Sequence, residues 1–400
     1  MKQMEEIAVV GGGPSGLVAA IALAQAGLKT VLFAPRPSHP DRRTTALLDG
    51  SVRILKSLGV WAALESKSAP LARLRLVDAT RRLIRAPEVL FDAAELGLDA
   101  FGHNVENELL RASLRDAVAG AKGLRIIEAS VEAVDPKGSS VALRANGTDE
   151  RVALVVAADG RGSLCRRAAG VHMERREFAQ TALAINLRHT RPHQNVSTEF
   201  HTESGPFTLV PLPGERSSLV WVVETAEAEA LLALADGDLS REIEQRAHSI
   251  LGRMEIEGKR GSFPLTIEVA RRFADKRIAL VGEAGHVLPP IGAQGLNLGI
   301  RDAAMIAEIV ADVRRGGGDP GGNGVMDAYE ARRRPDVRTR ALAVELMNRS
   351  LLSDFLPVHA ARGLGLAIAS RSAFLRRALM REGLGPRDES APRLARGEAL

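Results

Sequence analysis

Two glycine-containing segments, far apart in the chain, carry residue types that suit the binding of one long anionic ligand. The first, residues 11–16, reads GGGPSG and follows the apolar run of residues 7–10. Glycines after a strand allow a tight turn and a close approach of backbone amides to a pyrophosphate, and the following helix directs its N-terminus at the anion. This turn alone does not establish nucleotide binding, because glycine turns without a ligand are common.

The second segment, residues 277–304, lies about 260 residues downstream and reads RIALVGEAGHVLPPIGAQGLNLGIRDAA. An apolar strand ends here in glycine and an acid, and a loop rich in glycine and proline opens a helix. The pattern predicts a second set of contacts to the same ligand. We therefore expect a long ligand that is held by two distant parts of one chain.

The strand after the first predicted helix ends without the acid that dinucleotide-binding units usually place there. Such an acid accepts hydrogen bonds from the ribose hydroxyls about 20 residues past the glycines. This chain has Ala34, Pro35 and Arg36 instead. Because Arg36 suits a 2′-phosphate, as in NADP, this unit alone leaves the identity of the nucleotide open.

Further basic residues stand beside predicted helices. Residues 41–43 (DRR) precede a helix predicted over 51–58 and offer two guanidinium groups to a phosphate or to the edge of a flavin. A helix is also predicted over 104–118, where Arg111 takes a different side from the leucines that anchor the core. Both arginine sites are candidates for contacts to an anionic ligand.

Other residues with chemically active side chains have simpler interpretations. Asp159 and Gly160 follow a buried strand predicted over 152–158 and form an ordinary turn signal. His286 is interpreted as a structural or capping group rather than an acid or base. Glu283 and His286 have no third ligand nearby, so no metal site is expected.

The elements that must position these residues begin with a β-turn-α-β unit. It consists of a strand over 7–10, a helix over 17–25 and a strand over 28–33. Between residues 175 and 263 the pattern changes to extended segments joined by glycine and proline turns. Several antiparallel strands are predicted there, with a helix over 238–251.

Composition places the chain among soluble two-domain proteins. It has 400 residues, of which 45% are apolar, and this exceeds the usual size of one compact domain. No apolar window reaches the ~20 residues that span a bilayer, and the N-terminus lacks the pattern of a signal peptide, so a cytoplasmic location is expected. The single cysteine, Cys165, excludes an internal disulfide and is interpreted as a buried thiol.

The basic charge is concentrated at the C-terminal end. Residues 331–400 contain 14 Arg, no Lys and 7 Asp plus Glu, so their net charge is +7. Because the whole chain has a net charge of +5, the first 330 residues have a net charge of −2. Arginine clusters mark anionic membranes or nucleic acid. Nucleic acid is disfavoured because only 3% of the residues are aromatic, which leaves few stacking surfaces.

Three ordered motifs resemble those of the FAD-dependent aromatic hydroxylase superfamily, and within it the ubiquinone-biosynthesis hydroxylases, which are polyprenylphenol monooxygenases. The motifs are RTTALLDGSVRILKSLGVW at 43–61, NVENELLRASL at 104–114 and GAQGLNLGIRDA at 292–303. With the glycine turn and the Asp-Gly pair, the resemblance covers most of the chain from residue 7 to about 305.

The resemblance implies an α/β fold like that of p-hydroxybenzoate hydroxylase. A Rossmann-like FAD-binding domain is then interleaved with a mostly antiparallel β-sheet substrate domain, and C-terminal helices follow. The expected boundaries are 1–73, 100–175 and 264–340 for the FAD-binding domain, 74–99 and 176–263 for the substrate domain, 341–382 for a C-terminal helical region and 383–400 for a disordered tail.

The resemblance also implies which residues bind FAD. Glu283 stands where the family has an aspartate, one methylene longer, and the backbone amides of the late loop would stabilise negative charge on reduced flavin. The implied contacts are Gly11, Gly13, Pro14, Ser15 and Gly16 at the pyrophosphate, Arg43 and Arg111 at the ribose-phosphate region, Asp159 and Gly160, Gly282 and Glu283, and Pro289, Gly292, Gln294, Gly295, Leu296 and Asn297 under the isoalloxazine.

The reaction implied by the resemblance depends on the cofactor. NADH or NADPH, bound transiently in a surface groove, reduces FAD, dioxygen adds to give a flavin hydroperoxide, and the ring of a polyprenylated phenol attacks its outer oxygen. The extended region would roof the substrate pocket. Apolar candidates for the pocket walls are Phe207, Leu209, Pro211 and Trp221, with ordinary core packing as the alternative.

The last 60 residues mix apolar side chains with arginines in the pattern of short amphipathic helices. This pattern suits the surface of an anionic bilayer, in which a polyprenylated phenol dissolves, so the enzyme would be peripheral on the inner face of the membrane. A helical lid, a dimer contact or a complex with other quinone-biosynthesis proteins is the alternative. The apolar positions are Leu342, Leu346, Leu351, Leu352, Phe355, Leu356, Leu364, Leu366, Ile368, Phe374 and Leu375.

Two other classes of function stay open from the sequence. One is a flavin reductase or dehydrogenase that acts on a prenyl lipid, and oxygen consumption in proportion to product would distinguish it. The other is a non-catalytic subunit of a biosynthetic complex that keeps the flavin fold. Glu283 and the missing acid after Phe33 make that second class conceivable, and the FAD stoichiometry would test it.

Overall fold

A six-stranded sheet carries the glycine turn at the carboxyl end of an inner strand. The computed structural model describes residues 6–36, 41–80, 85–352, 365 and 368–400. All neighbouring pairs in this sheet are parallel except the pair at one edge, β18 with β19. In spatial order the strands are β18 (Ala274–Asp275), β19 (Ile278–Leu280), β12 (Leu154–Ala157), β1 (Ile7–Val10), β2 (Thr30–Phe33) and β8 (Leu124–Ile127).

Helices cover this sheet, and the first is buried along almost its whole length. It starts with Pro14, because proline lacks the amide hydrogen that the first turn leaves unpaired anyway, and it is apolar on all sides. The helices of the described residues, of which α5 and α6 cover a different sheet, include α1 (Pro14–Gln25), α2 (Asp49–Ser57), α3 (Asn107–Gly120), α4 (Leu164–Ala169), α5 (Thr225–Ala233), α6 (Asp236–Arg246), α7 (Gln294–Arg315), α8 (Asn323–Leu352), α9 (Ala373–Leu384) and α10 (Arg393–Arg396).

A second, eight-stranded sheet is mostly antiparallel. Two of its strands, β13 and β17, have 17 residues each, and their pairing shifts register twice, between Glu177 and Thr181 and between Ala184 and Asn186. In spatial order the strands are β20 (His286–Val287), β17 (Met254–Ala270), β13 (Met173–His189), β16 (Arg216–Glu224), β15 (Pro206–Leu212), β14 (Val196–His201), β5 (Arg73–Asp78) and β6 (Val89–Asp92).

Two three-stranded sheets complete the β-structure of the described chain. One connects the two large sheets, because Thr44 and Asn104 on its strands both hydrogen-bond to Ser218 on β16. The strands are β3 (Thr44–Leu48), β4 (Ala69–Pro70) and β7 (Gly102–Glu106) in the connecting sheet, and β9 (Ala133–Lys137), β10 (Ser140–Ala145) and β11 (Thr148–Val152) in the other.

The eight-stranded sheet has one closed face and one face that meets the rest of the protein. Alternate residues of β13, β15 and β16 form a hydrophobic core with α5 and α6 on the closed face. The residues between them point to the connecting sheet, as the bonds of Ser218 show. We call this second face, which lies toward the connecting sheet, the inward face.

Most predicted elements are present, with shifted ends. The helix predicted over 104–118 begins at Asn107, because Asn104 belongs to β7 and pairs there with Ala46. The helix predicted over 238–251 starts and stops earlier, as α6. The strand predicted over 152–158 is divided between the ends of β11 and β12.

The tail predicted to be disordered from residue 383 is folded onto α2 and α7 instead. Leu394 and Ala395 on α10 are buried in the main core, and the carbonyl of Leu394 accepts a hydrogen bond from Ser57. Arg393 donates from both terminal nitrogens to Asp312 at 2.8 and 2.9 Å. The sequence did not predict these contacts, because the segment is polar and each partner lies far away along the chain. Part of the region predicted as helical over 341–382, including Phe355, Leu356, Leu364 and Leu366, lies outside the described residues.

A buried cluster of ions joins α7 and α8 to the turn after β19. Asp302 on α7 is fully buried and accepts hydrogen bonds from the amide of Gly282 at 2.9 Å and from Nε of Arg333 at 2.6 Å. Asp336 on α8 accepts hydrogen bonds from Arg301 and Arg333, both at 2.7 Å. Such clusters stabilise only when each charge has its partner, so the loss of one member should be costly.

We expect the Asp336 carboxylate to give the protein a specific acid sensitivity. Burial alone would raise the pKa of Asp336, but the charges and hydrogen bonds of Arg301 and Arg333 outweigh it and lower the pKa to about 2. A lowered pKa stabilises the fold above the ordinary value near 3.8 and loses that contribution as the pH falls through about 2. The contribution is about 2 kcal/mol.

Chemical unfolding between about pH 5 and pH 2 measures this effect. The difference in unfolding free energy between the wild type and Asp336→Asn should be largest at pH 5 and should shrink toward pH 2. Asp327, exposed on the same helix, provides the control Asp327→Asn, for which we expect no such trend. A constant difference across the range would contradict the assignment.

Candidate functional site

The glycine turn is tight where it contacts the protein and open at one position. A methyl group on Gly11 would lie 2.1 Å from the carbonyl oxygen of Ala158, and one on Gly16 would lie 2.1 Å from the carbonyl oxygen of Gly11. A methyl group on Gly13 would meet no protein atom within 4 Å. Packing within the protein therefore requires glycine at Gly11 and Gly16. At Gly13 the surrounding protein would leave room for a side chain.

The N-terminus of α1 lies at this open position without a side chain that caps it. Gly13 is the N-cap, and the first turn contains no acid. Ser15 points away from the opening, since its Oγ lies only 2.3 Å from where a methyl group on Gly299 would be. Amides at the start of a helix lack partners within the helix, so this end of α1 suits an anion.

Asp41, Arg43, Asn107 and Arg111 form a polar cluster before α3. The carboxylate of Asp41 accepts hydrogen bonds from Arg43 at 2.7 and 2.8 Å and from Asn107 at 3.1 Å, and Arg111 lies 3.6 Å away. Burial by itself raises the pKa of Asp41, but the hydrogen bonds and charge of Arg43 lower it to about 2. Two guanidinium groups thus share one carboxylate and keep donors for a further anion.

Glu283 approaches the same cluster from the late segment. Its side chain is 57% exposed and lies 3.6 Å from Arg161. The hydrogen bond from Arg43 to Asp41 raises the pKa of Arg43, burial lowers it, and the charges of Asp41 and Glu283 raise it further. The early and late segments predicted to hold one ligand are also in contact, since a methyl group on Gly282 would lie 3.1 Å from Oγ of Ser15.

Asp159 lies beside the glycine turn and caps the next helix. Its carboxylate accepts hydrogen bonds from Oγ of Ser163 at 2.6 Å and from the amide of Cys165 at 3.1 Å. Gly160 follows with a φ of 76°. Burial raises the pKa of the Cys165 thiol well above its usual value, and the nearby charge of Asp159 adds to the increase. Cys165 is therefore an unreactive buried thiol, as the sequence predicted.

The start of α7 offers a second uncapped helix N-terminus. Ala293, with a φ of 55°, is the N-cap, and no acid occupies the first turn. Asn297 holds this start against β3, because it donates to the carbonyls of Ala46 and Ala293 and accepts from the amide of Leu48. The side chain of Asn297 is thus used within the protein. In the preceding loop Pro289 is buried and Gly292 is exposed.

The other predicted residues of this loop differ in exposure. Gln294 donates to the carbonyl of Gly292 at 3.0 Å, and a methyl group on Gly295 would meet no protein atom within 4 Å. Leu296 is half-buried against the main core. Gly295 therefore resembles Gly13 in having open space at the start of its helix.

His286 is structural, as the sequence analysis favoured. It is buried on β20, and its Nε2 lies 2.7 Å from Oδ2 of Asp302. The same oxygen of Asp302 accepts the amide of Gly282. His286 therefore fixes the edge of the eight-stranded sheet to the turn that presents Glu283.

The apolar residues predicted as pocket walls lie on the wrong face of the eight-stranded sheet. Phe207, Leu209 and Trp221 belong to the core that α5 and α6 close, where Phe207 and Trp221 form an edge contact at 5.3 Å. Pro211 continues the same alternation and its carbonyl accepts from Asn104. The strands were predicted correctly, but alternate residues face opposite ways, so the neighbours of these residues lie on the inward face.

Two acids at the site escaped the sequence analysis. Glu128 follows β8 and pairs with Arg36 at 2.6 Å. Since Phe33 pairs with Ile127, Glu128 stands beside Ala34, where the acid of the second strand was missing. Asp302 was concealed in the motif at 292–303, where its helical position gave no sign of the partners on α8. A prediction that β2 pairs with β8 would have placed Glu128 beside Ala34.

Comparison with known proteins identifies the family of this chain. The family model described as an FAD binding domain matches residues 4–342. The ubiquinone hydroxylase UbiL of Rhodospirillum rubrum is 34% identical over 100% of this chain and 94% of that protein. The 3-demethoxyubiquinol 3-hydroxylase of Escherichia coli is 31% identical over 96% of this chain and 99% of that protein.

Solved structures show the same fold at lower identity. The p-nitrophenol 4-monooxygenase PnpA from Pseudomonas putida superposes with a TM-score of 0.79 at 19% identity, covering 97% of this chain and 100% of that chain. HpxO of Klebsiella pneumoniae, complexed with FAD and uric acid, has a TM-score of 0.76 at 19% identity and covers 97% of both chains. The chain therefore belongs to the FAD-dependent aromatic hydroxylases and, within them, to the ubiquinone-biosynthesis hydroxylase family.

Proposed function

We propose that this flavin-dependent monooxygenase hydroxylates the aromatic ring of a polyprenylated phenol in ubiquinone biosynthesis. One observation carries the proposal: the glycine turn, the arginine cluster and the late segment converge. Ser15 packs against Gly282 and Gly299, and Asn297 hydrogen-bonds to β3, the strand that follows Arg43, so two uncapped helix N-termini lie close to the cluster. The relatives named as ubiquinone hydroxylases support the substrate class.

The residues present fit FAD. The open space at Gly13 and the uncapped N-terminus of α1 suit its pyrophosphate, in a turn completed by Gly11, Pro14, Ser15 and Gly16. Arg43 and Arg111 have donors for the ribose-phosphate region. The remaining proposed contacts are Asp159, Gly160, Gly282 and Glu283 beside the turn, and Pro289, Gly292, Gln294, Gly295, Leu296 and Asn297 at the start of α7.

The protein has three tasks in the proposed reaction. The chemistry that FAD supplies when bound is the activation of dioxygen, after reduction by NADH or NADPH. Backbone amides at the start of α7 favour negative charge beside them, the eight-stranded sheet excludes water from the space above, and the inward residues of that sheet orient the phenol.

Substitution of Gly13 tests the cofactor site without changing the fold. Gly13→Ala should leave folding intact, because the added methyl group meets no protein atom within 4 Å, but it should weaken FAD binding at least tenfold by occupying the space of the pyrophosphate. FAD fluorescence quenching measures the affinity, and circular dichroism measures the fold.

Gly50→Ala is the matched control, since that position on α2 also has no atom within 4 Å. We expect FAD to bind this variant as it binds the wild type. Equal FAD affinity for Gly13→Ala and the wild type would contradict the proposed pyrophosphate site.

Oxygen stoichiometry tests the reaction itself. Purified protein loaded with FAD should consume one dioxygen per hydroxylated product when supplied with NADH or NADPH and a short-chain prenylphenol, as oxygen electrode and mass spectrometry measure. Incorporation of label from ¹⁸O₂ into the product ring is expected. Product that forms without oxygen would favour a flavin reductase or dehydrogenase instead.

The proposal includes contact with an anionic lipid surface, where a polyprenylated phenol resides. Phe374 on α9 is 83% exposed, and Arg377 and Arg381 are exposed on the same side of the helix at spacings of three and seven residues. Leu342 and Leu346 on α8 are 55% and 56% exposed. Exposed apolar side chains flanked by arginines suit anionic lipid head groups. No helix among the described residues is long and apolar enough to cross a membrane.

Phe374→Glu tests this surface. It should reduce co-flotation with phosphatidylglycerol vesicles several-fold while activity toward a detergent-dissolved short-chain prenylphenol is retained. Leu90→Glu, at a residue 39% exposed on the eight-stranded sheet, is the control. Unchanged flotation of Phe374→Glu would favour a lid, a dimer contact or a protein partner for α9.

A further inference from the structure

One row of residues on the inward face of the eight-stranded sheet keeps accessible surface, whereas the row on one side of it is buried. The row crosses four strands through the pairs Glu199 with Thr208, Thr208 with Val220, and Val220 with Ala184. All four residues are half-buried. In the buried row beside it Val222 is fully buried and Ala182 is 2% exposed, so the accessible part of this face ends there.

Side-chain contacts flank this row on both sides. At one end Thr44 on β3 hydrogen-bonds to Ser218, one row away, which is about 7 Å along a strand. At the other end Asn348 on α8 donates to Gln180, and Gln180 donates to the carbonyl of Ser204 in the hairpin that follows β14. The row thus lies between the connecting sheet and the last turns of α8.

Glu199, the member of this row on β14, contacts the imidazole of His201 on the same strand. Oε1 of Glu199 lies 2.9 Å from Nε2 of His201, and Oε2 accepts a hydrogen bond from Thr208 at 3.2 Å. Burial by itself raises the pKa of Glu199, but the hydrogen bond and charge of His201 outweigh it and lower the pKa below the usual value. Glu199 is therefore a carboxylate that holds Nε2 of His201 as a donor.

That hydrogen bond leaves the second ring nitrogen of His201 as an acceptor. No group in the described part of the chain hydrogen-bonds to Nδ1 of His201. The neighbouring carboxylate on β5, Asp78, faces the same side in register with His201 and is engaged by Thr80 and the amide of Ala86. An imidazole oriented by a carboxylate and open at the other nitrogen is an arrangement suited to proton transfer.

We infer that His201, positioned by Glu199, accepts the phenolic proton of the substrate. The inference rests on the proposed function and adds to it the group that activates the ring. The phenol O–H bond breaks and its electron pair stays on oxygen, while a new N–H bond forms at Nδ1 of His201. The resulting imidazolium is balanced by the Glu199 carboxylate. A phenolate ring is richer in electrons than a phenol and so a better nucleophile for oxygen transfer.

Two probe substrates of different acidity test the inference. His201→Gln removes the proton acceptor, and we expect it to slow hydroxylation of a short-chain ortho-prenylphenol by about a hundredfold. A ring-fluorinated analogue, whose phenol ionises near neutral pH without help, should lose less than about tenfold in the same variant. Glu199→Gln should show the same dependence on substrate acidity with a smaller loss.

Structural controls separate this role from a role in folding. Glu215→Gln, at an exposed residue of the β15–β16 turn, should behave as the wild type with both probes, and FAD content with thermal unfolding checks each variant. Provided that the wild type hydroxylates both probes, the inference would be overturned if His201→Gln lowered the hydroxylation rate equally for both probes or lowered it for neither. A wild type loaded with FAD that hydroxylates neither probe would instead refute the proposed function.

Discussion

A single buried carboxylate, Asp302, determines how the two large sheets and the two long helices meet. It lies on α7, accepts the amide of Gly282 after β19, contacts His286 on the edge of the second sheet and pairs with Arg333 on α8. A charge removed from water is tolerated only when hydrogen bonds and opposite charge surround it. The four elements must therefore converge within hydrogen-bonding distance, and the start of α7 and the turn that presents Glu283 are fixed as a result.

Local patterns were sufficient to predict the elements that we propose to bind FAD. The glycine turn, the first helix and the late Gly-acidic segment follow from short-range backbone constraints, in which glycine is required by contacts such as that of Gly16 with Gly11. The position of Asp302 did not follow in the same way. Its partners lie 16 to 31 residues away along the chain, and a carboxylate within a helical pattern usually indicates a solvated face.

The substrate side was predicted less well, for a reason of register. Along a strand the residues that face the core and those that face the site differ by one position. Large apolar residues such as Trp221 were assigned to the pocket, whereas small or half-polar neighbours such as Val220 and Thr208 occupy the inward face. Hydrophobicity identifies the closed face of this sheet more readily than the inward face, because residues on the inward face do not need to be strongly apolar.

The long paired strands β13 and β17 have a mechanical consequence. Each runs from the nucleotide side to the far end of the substrate side without a break, so the two sides are not joined by flexible linkers that would serve as a hinge. The two register shifts in their pairing are the places where such a ladder bends most easily. A change in the relative orientation of the two sides would therefore bend the sheet at these register shifts, and would not rotate one rigid domain about a linker.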